Sequence, residues 1–346
     1  MELINNLTQT QQFLLFSILK VLCVFVAVLP LIGASVLAER RVSAWIQDRI
    51  GPNRVGPFGL LQPLADGVKT MLKEDFTPNH VRKVYFWLAP AITVIPAFLT
   101  LAVIPFGSRL GSEKMVIADL NVGILYTFGI VSLGVYGIVL AGYSSNSKYP
   151  FLGGIRASAQ MISYEIAMGM SVVPLFMLVE SLNLGDVIAY QAGGAWLVFK
   201  QPLAFAIFLV SAFAETNRIP FDLPESETEL VGGYHTEYSS MKFLLFFLGE
   251  YANMIASSAM MVTLFFGGWT LPIFGLDQPA SSLVGGFIHI GIFVGKIGIL
   301  MTLFIWVRWM LPRFRYDQLM DIGWKRFIPM ALANILLTAI VLWVMH

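Results

Sequence analysis

Apolar residues run along the chain in blocks of about 20, the length a helix needs to cross roughly 30 Å of hydrocarbon. Eight blocks meet that length, at 13–37, 84–105, 123–143, 157–179, 196–214, 243–267, 283–307 and 327–344. The pattern predicts an all-α, polytopic membrane protein, with residues 1–346 forming a single membrane domain. The fifth block is the least regular. Lys200 and Pro202 leave a clean apolar run only from Leu203 to Ala214, so spanning there requires Lys200 to snorkel to the interface.

Residues 58–73 follow a different rule. Leu61, Leu64, Ala65, Val68 and Leu72 are interleaved with Gln62, Asp66, Lys69 and Lys73 at helical spacing. The segment is too short and too polar to span. It reads as an amphipathic helix lying on the cytoplasmic face of the membrane, with a surface helix of a loop subdomain as the alternative.

Charge adds orientation. Of the 22 Lys and Arg residues, 17 fall in the loops after spans one, three, five and seven. Short basic loops stay on the cytoplasmic side, so both termini are expected to face away from the cytoplasm. The 21 acids leave a net charge of +1, which gives no electrostatic case for nucleic-acid binding. Composition agrees with the blocks: 57% of the 346 residues are hydrophobic and 12% charged, and mean hydropathy is +0.75. The first block lacks a signal-peptidase-like site and reads as a retained span, and no Arg-rich transit segment precedes it. The expected location is a bacterial inner (cytoplasmic) membrane rather than the mitochondrial inner membrane.

Several chemistries are excluded. The single cysteine, Cys23, cannot form an internal disulfide or hold an iron–sulfur cluster. Of four histidines only His289 lies in an expected span, so a bis-histidine haem cannot be built. No dinucleotide, P-loop or HExxH pattern occurs, and no redox cofactor or metal is expected on this chain.

Acid in apolar surroundings is what remains. Glu165 falls about nine residues into the fourth span, roughly 13 Å deep at 1.5 Å per residue. A carboxylate there must be protonated, paired or placed on a wet path, and proton relay competes with a satisfied internal hydrogen bond. Glu250, inside the sixth span, and Glu215, at the end of the fifth, pose the same choice. The loop 215–237 carries Glu215, Asp222, Glu225, Glu227, Glu229 and Glu237 against one internal cation, Arg218. Such a cluster either stores protons or is a solvated acidic loop. His289 and Lys296 share a helix face, and Lys296, too deep to snorkel, needs a carboxylate partner or a polar cavity. Near the first span, Glu39, Arg40 and Arg41 precede a stretch from Asp48 to Gly59 rich in Gly and Pro, which predicts a compact polar rim suited to admitting an amphiphile or docking a soluble partner.

Several long strings carry a family resemblance: Glu39-Arg40-Arg41, Gln47 to Pro57 (QDRIGPNRVGP), Leu61 to Gly67 (LQPLADG), Ser144 to Pro150 (SSNSKYP), Arg156 to Gln160 with Ser163-Tyr164-Glu165, Arg218 to Pro224 (RIPFDLP), Tyr234 to Lys242 (YHTEYSSMK), Phe265 to Trp269 (FFGGW) and Pro312 to Trp324 (PRFRYDQLMDIGW). Together they resemble the membrane H-subunit (ND1 in mitochondria) of proton-pumping NADH:quinone oxidoreductase, respiratory complex I. The first 35 residues and the segment 183–201 carry no matching pattern.

The resemblance implies a subunit forming the membrane-side wall of the quinone tunnel, beneath a peripheral arm whose subunits bear FMN and iron–sulfur clusters and beside other membrane subunits in the lipid bilayer. It implies a carboxylate path from quinone reduction to proton translocation through Glu39, Asp66, Glu165, Glu215, Glu225, Glu227, Glu229 and Glu250. It also places Arg40, Arg49, Ala65, Lys69 and Phe221 along the tunnel, while the quinone head group is held mainly by a peripheral subunit. Homologous membrane subunits of energy-converting hydrogenases and of ferredoxin-linked photosynthetic complex I are the related alternatives. A stand-alone proton-coupled transporter is the alternative from another class, though no inverted repeats or broken helices are evident in the sequence.

Overall fold

A 38-residue helix, α1 (Gln9–Ile46), opens the fold and carries its apolar run directly into Glu39, Arg40 and Arg41. The computed structural model describes residues 9–111, 113–222, 232–272, 275–280 and 282–345. After a 3₁₀ turn at Pro57–Gly59 comes the short amphipathic helix α2 (Gln62–Leu72). The long helices α3 (Lys83–Thr100), α4 (Gly123–Ser144) and α5 (Lys148–Val179) follow. A two-stranded hairpin, β1 (Arg109–Leu110) and β2 (Glu113–Lys114), joins α3 to α4 with Arg109 opposite Lys114. Three shorter helices come next: α6 (Leu184–Ala192), α7 (Leu197–Lys200) and α8 (Pro202–Glu215). The chain closes with α9 (Ser240–Phe265), α10 (Leu283–Met310), α11 (Tyr316–Asp321), a π-helical turn (Ile322–Phe327) and α12 (Ile328–Met345).

Among the described residues seven helices are long and apolar enough to cross a membrane, so the protein is polytopic and all-helical. The fifth expected span differs. Its apolar helix, α8, has 14 residues, because Gln201 leaves the helical conformation (φ −133°, ψ 60°) ahead of Pro202 and separates it from α7. Proline has no N–H to continue α7 and disfavours helical angles in the residue before it.

Close helix contacts are set by small residues. A Cβ on Gly137 of α4 would stand 2.3 Å from Thr93 Oγ1 of α3, a distance no side chain tolerates, so glycine is what lets these two helices touch. Behind them Tyr164, Phe208, Phe265 and Phe304 are fully buried and fill the space between α5, α8, α9 and α10. Helix α11 and the π-helical turn pack against α5, where Tyr164 Oη donates to the Leu319 carbonyl of α11 (2.9 Å) and Trp324 Nε1 of the turn to Ser163 Oγ (2.9 Å).

Among the described residues Lys296 pairs with no carboxylate and sits in polar surroundings built from backbone. Its Nζ donates to three backbone carbonyls, of Phe266 (2.6 Å), Gly268 (2.9 Å) and Thr270 (2.6 Å), and stands 4.7 Å from the centre of the Trp196 ring. These carbonyls belong to the glycine turn at the C-terminus of α9, where helix carbonyls lack intrahelical partners and partial negative charge accumulates. Lys296 therefore acts as a charged C-cap brought from another helix. Nearby His289 accepts or donates a 2.7 Å hydrogen bond with Ser108 and packs on Trp269.

Candidate functional site

Four parts of the chain converge on one buried ion cluster. Glu39, near the end of α1, accepts from Arg218 Nη1 at 2.9 and 3.1 Å, from Tyr251 Oη of α9 at 2.7 Å, and from Arg308 of α10. Arg218 turns its Nε to Glu250 of α9 at 2.5 Å, and its guanidinium lies 4.6 Å from the centre of the Tyr251 ring. The side chains of Arg218, Glu39 and Glu250 are 5%, 9% and 9% exposed. Charges so far from water survive only with close partners, and here two carboxylates share one planar guanidinium.

The turn after α8 positions Arg218. Gln160 of α5 donates from Nε2 to the carbonyls of Ala214 (2.7 Å) and Phe221 (2.9 Å), pinning both ends of the turn. Within it the Arg218 N–H donates to the Phe213 carbonyl and the Phe221 N–H to the Arg218 carbonyl. Phe221 is buried, its ring 5.4 Å from that of Tyr164 and 5.6 Å from that of Phe314. One residue on, Asp222 pairs with Arg313 at 3.1 Å.

Behind the cluster lies a cavity of about 50 Å³ between α3, α4, α5, α8 and α9, with Thr100, Thr127, Glu215, Glu250, Asn253 and Ser257 among its lining. That is room for a few waters beside these polar groups, in a lining that is otherwise mostly apolar. Glu215, buried at the end of α8, and Glu250 thus face one polar space. Glu165 on α5 accepts from Ser132 of α4 and is close enough to Glu215 for their charges to interact.

A second group sits at the junction of α1 and α2. Asp66 accepts from Arg40 Nη1 (2.5 Å), Gln62 Nε2 (3.0 Å) and Lys69 Nζ (3.5 Å). Partial burial pushes the Asp66 carboxyl up, but the hydrogen bond and charge of Arg40 outweigh it and hold the group below its ordinary value of 3.8. Asp66 is therefore ionised at neutral pH. The stabilisation it draws from Arg40 is present above the ordinary value and is lost as pH falls through the lowered one. Ala65 is half-buried beside it. Arg49 donates to Gln47 (2.8 Å) in the loop that follows α1. That loop is as compact as its glycines and prolines imply: Arg41 donates to the Phe58 carbonyl, and a Cβ on Gly59 (φ 73°) would stand 2.3 Å from the Pro52 carbonyl oxygen.

The structure thus gathers Glu39, Glu250, Glu215 and Glu165 into one buried region and places Asp66, Arg40, Lys69 and Ala65 in another beside α1. Glu225, Glu227 and Glu229 lie outside the described residues. Among the described residues no group of three or more His, Cys, Asp or Glu is arranged to hold a metal ion. Three partners were invisible to spacing: Arg308, Arg313 and Tyr251. Asp222 of the 215–237 segment pairs with a cation from outside it, because Arg313 arrives from 91 residues downstream, and His80 stands 4.0 Å from Glu237. The only signal for Arg308 was a cation in the last turn of an apolar helix.

Comparison with known proteins agrees with this architecture. Residues 19–339 match the NADH dehydrogenase family model. The chain is 52% identical to the first of the NADH-quinone oxidoreductase H-subunits of Cytophaga hutchinsonii, covering 94% of this chain and 96% of the relative. It is 53% identical to the first H-subunit of Geobacter metallireducens, over 93% and 95%, and 46% identical to the H-subunit of Flavobacterium psychrophilum, over 95% and 98%. A match this long and this close, on an all-helical fold with seven candidate spans, carries the assignment. The chain belongs to the H-subunit family of NADH-quinone oxidoreductase and is a multi-pass membrane component of that multi-subunit enzyme.

Proposed function

We propose that this protein forms the membrane-side wall of the quinone tunnel and the first stretch of the carboxylate path that couples quinone reduction to proton translocation. The observation that carries the reading is the cavity that joins Glu215 to Glu250 across α8 and α9, with Arg218 linking Glu250 to Glu39. A proton entering at Glu39 has two carboxylates on one guanidinium and then a polar space leading to Glu215 and, beyond it, Glu165. Glu225, Glu227 and Glu229 extend the path at its loop side. Asp66, held ionised by Arg40 and Lys69, marks the quinone end, and Arg40, Arg49, Ala65, Lys69 and Phe221 belong to the tunnel wall. On this reading residues 1–346 are one membrane domain, the loops after α1, α4, α8 and α10 face the cytoplasm, and the peripheral arm docked there carries FMN and iron–sulfur clusters on its own subunits.

Two measurements test it. In the assembled complex, Glu250→Gln should lower quinone reduction and proton pumping together, by about tenfold, or about 1.4 kcal/mol of barrier. NADH oxidation by ferricyanide, a soluble acceptor that bypasses the quinone site, should stay intact. Pumping and quinone reduction at the parent level would reject the path. For the wall, Ala65→Phe adds a ring to the face of α2 beside Asp66 and should raise the KM for a long-tailed quinone several-fold while sparing a short-tailed one. Equal effects on both quinones would place Ala65 away from the entrance.

A further inference from the structure

Helix α2 buries none of its residues, and Leu64, Val68, Met71 and Leu72 are all exposed. An amphipathic helix whose apolar face meets fluid lipid gains binding energy but no fixed orientation from it. Its direction must come from polar contacts at its ends. At the first end the Arg40–Asp66 pair has side chains 44% and 24% exposed, and ion pairs in water contribute little. The second end is built differently.

Where α2 finishes, Ser240 Oγ donates to the carbonyls of Lys73 (2.9 Å) and Thr70 (3.1 Å), the latter also accepting the Lys73 N–H that closes the helix. Two residues on, Lys242 reaches the segment following α2, with Nζ 2.9 Å from Asp75 Oδ1 and 2.7 Å from Thr77 Oγ1. The Lys242 side chain is 5% exposed and its ammonium lies 4.0 Å from the centre of the Trp87 ring. A desolvated cation cannot leave its acceptors without heavy cost, whereas an exposed pair exchanges partners for water freely. The strong fastening of α2 is therefore to the base of α9.

We propose that Lys242, with Ser240, is a positioning residue that locks α2 against α9 and so sets the aperture of the quinone entrance. The lock stands on these contacts alone, and its effect on quinone access rests on the reading of α2 as the border of that entrance. Lys242 touches neither quinone nor proton carrier. Its loss should alter how a long tail threads past α2 rather than the chemistry at the head group.

The test uses intact complex carrying Lys242→Met, which keeps the apolar stem and removes the three donors, and Lys242→Arg, which restores a cation. Hydrogen–deuterium exchange of the 62–73 segment should rise several-fold in the Met variant and return toward the parent rate in the Arg variant. The KM for a long-tailed quinone should rise several-fold with kcat within about twofold of the parent, and the KM for a short-tailed quinone should not move. Unchanged exchange in α2 would overturn the lock. Faster exchange with both quinones unaffected would leave the lock standing and reject the entrance reading instead. Equal loss of kcat with both quinones would mark general damage and overturn a positioning role. Should the Met variant fail to assemble, Asp75→Asn, which weakens the same contact from its more exposed side, is read by the same criteria.

Discussion

Replacing Arg218 by Met should do more harm to this protein than any other single change at the cluster. Among the described residues the guanidinium is the cation that Glu39 and Glu250 share, and its removal takes a close partner from buried carboxylate charge. Breaking a buried pair from one side costs about 3–5 kcal/mol, because the surviving charge keeps its desolvation penalty and loses its compensation. Arg308 still serves Glu39. The expected result is a sharp fall in assembled complex and a lower inactivation temperature for what assembles. Lysine should not replace Arg218, since a single ammonium cannot offer the flat fork that spans two carboxylates. The decisive measurement is the double variant Arg218→Met/Glu250→Gln. Neutralising the acid that faced Arg218 should recover part of the lost thermal stability, although activity stays low. A double variant as unstable as Arg218→Met would mean that Glu250 is not the charge Arg218 compensates, and the two effects must be compared as a cycle.

The hydrophobic blocks told most of the fold, because a lipid-facing helix is specified by length and apolarity, both local properties of the chain. At residues 196–214 a lysine, a glutamine and a proline within three positions divide the apolar run into two short helices, α7 and α8. Acids in apolar settings were equally legible, since Glu165 and Glu250 stand out against their neighbours without reference to anything distant. Their partners were not. Arg218 is 179 residues from Glu39 and Arg308 is 269 residues away, so the cation that completes each pair is decided by helix packing. Lys296 makes the same point from the other side. Its depth called for a carboxylate or a polar cavity, and the carbonyls of a glycine turn supply the partial negative charge; no residue-type pattern announces a backbone acceptor.

The pair Glu165 and Glu215 separates a relay from a set of independent structural acids. Each accepts or faces a different neighbour: Ser132 holds Glu165 on α5, while Glu215 closes α8 at the edge of the polar cavity. Amide replacement preserves size and most hydrogen bonding but cannot take up and release a proton, so Glu165→Gln and Glu215→Gln should assemble and each lower coupled quinone reduction by about tenfold or more, at least about 1.4 kcal/mol. The two carboxylates lie close enough to interact electrostatically. If protons pass through them in series, a block at one site already stops the flux, and a second block adds almost nothing. The double variant Glu165→Gln/Glu215→Gln should then be no slower than the slower single variant, measured as quinone reduction with proton uptake in proteoliposomes. Two acids that do not act in series would instead give a double variant clearly slower than either single variant. Multiplicative losses, or single variants that pump at the parent rate, would remove Glu165 and Glu215 from the path and leave the Glu39–Arg218–Glu250 cluster as a structural knot.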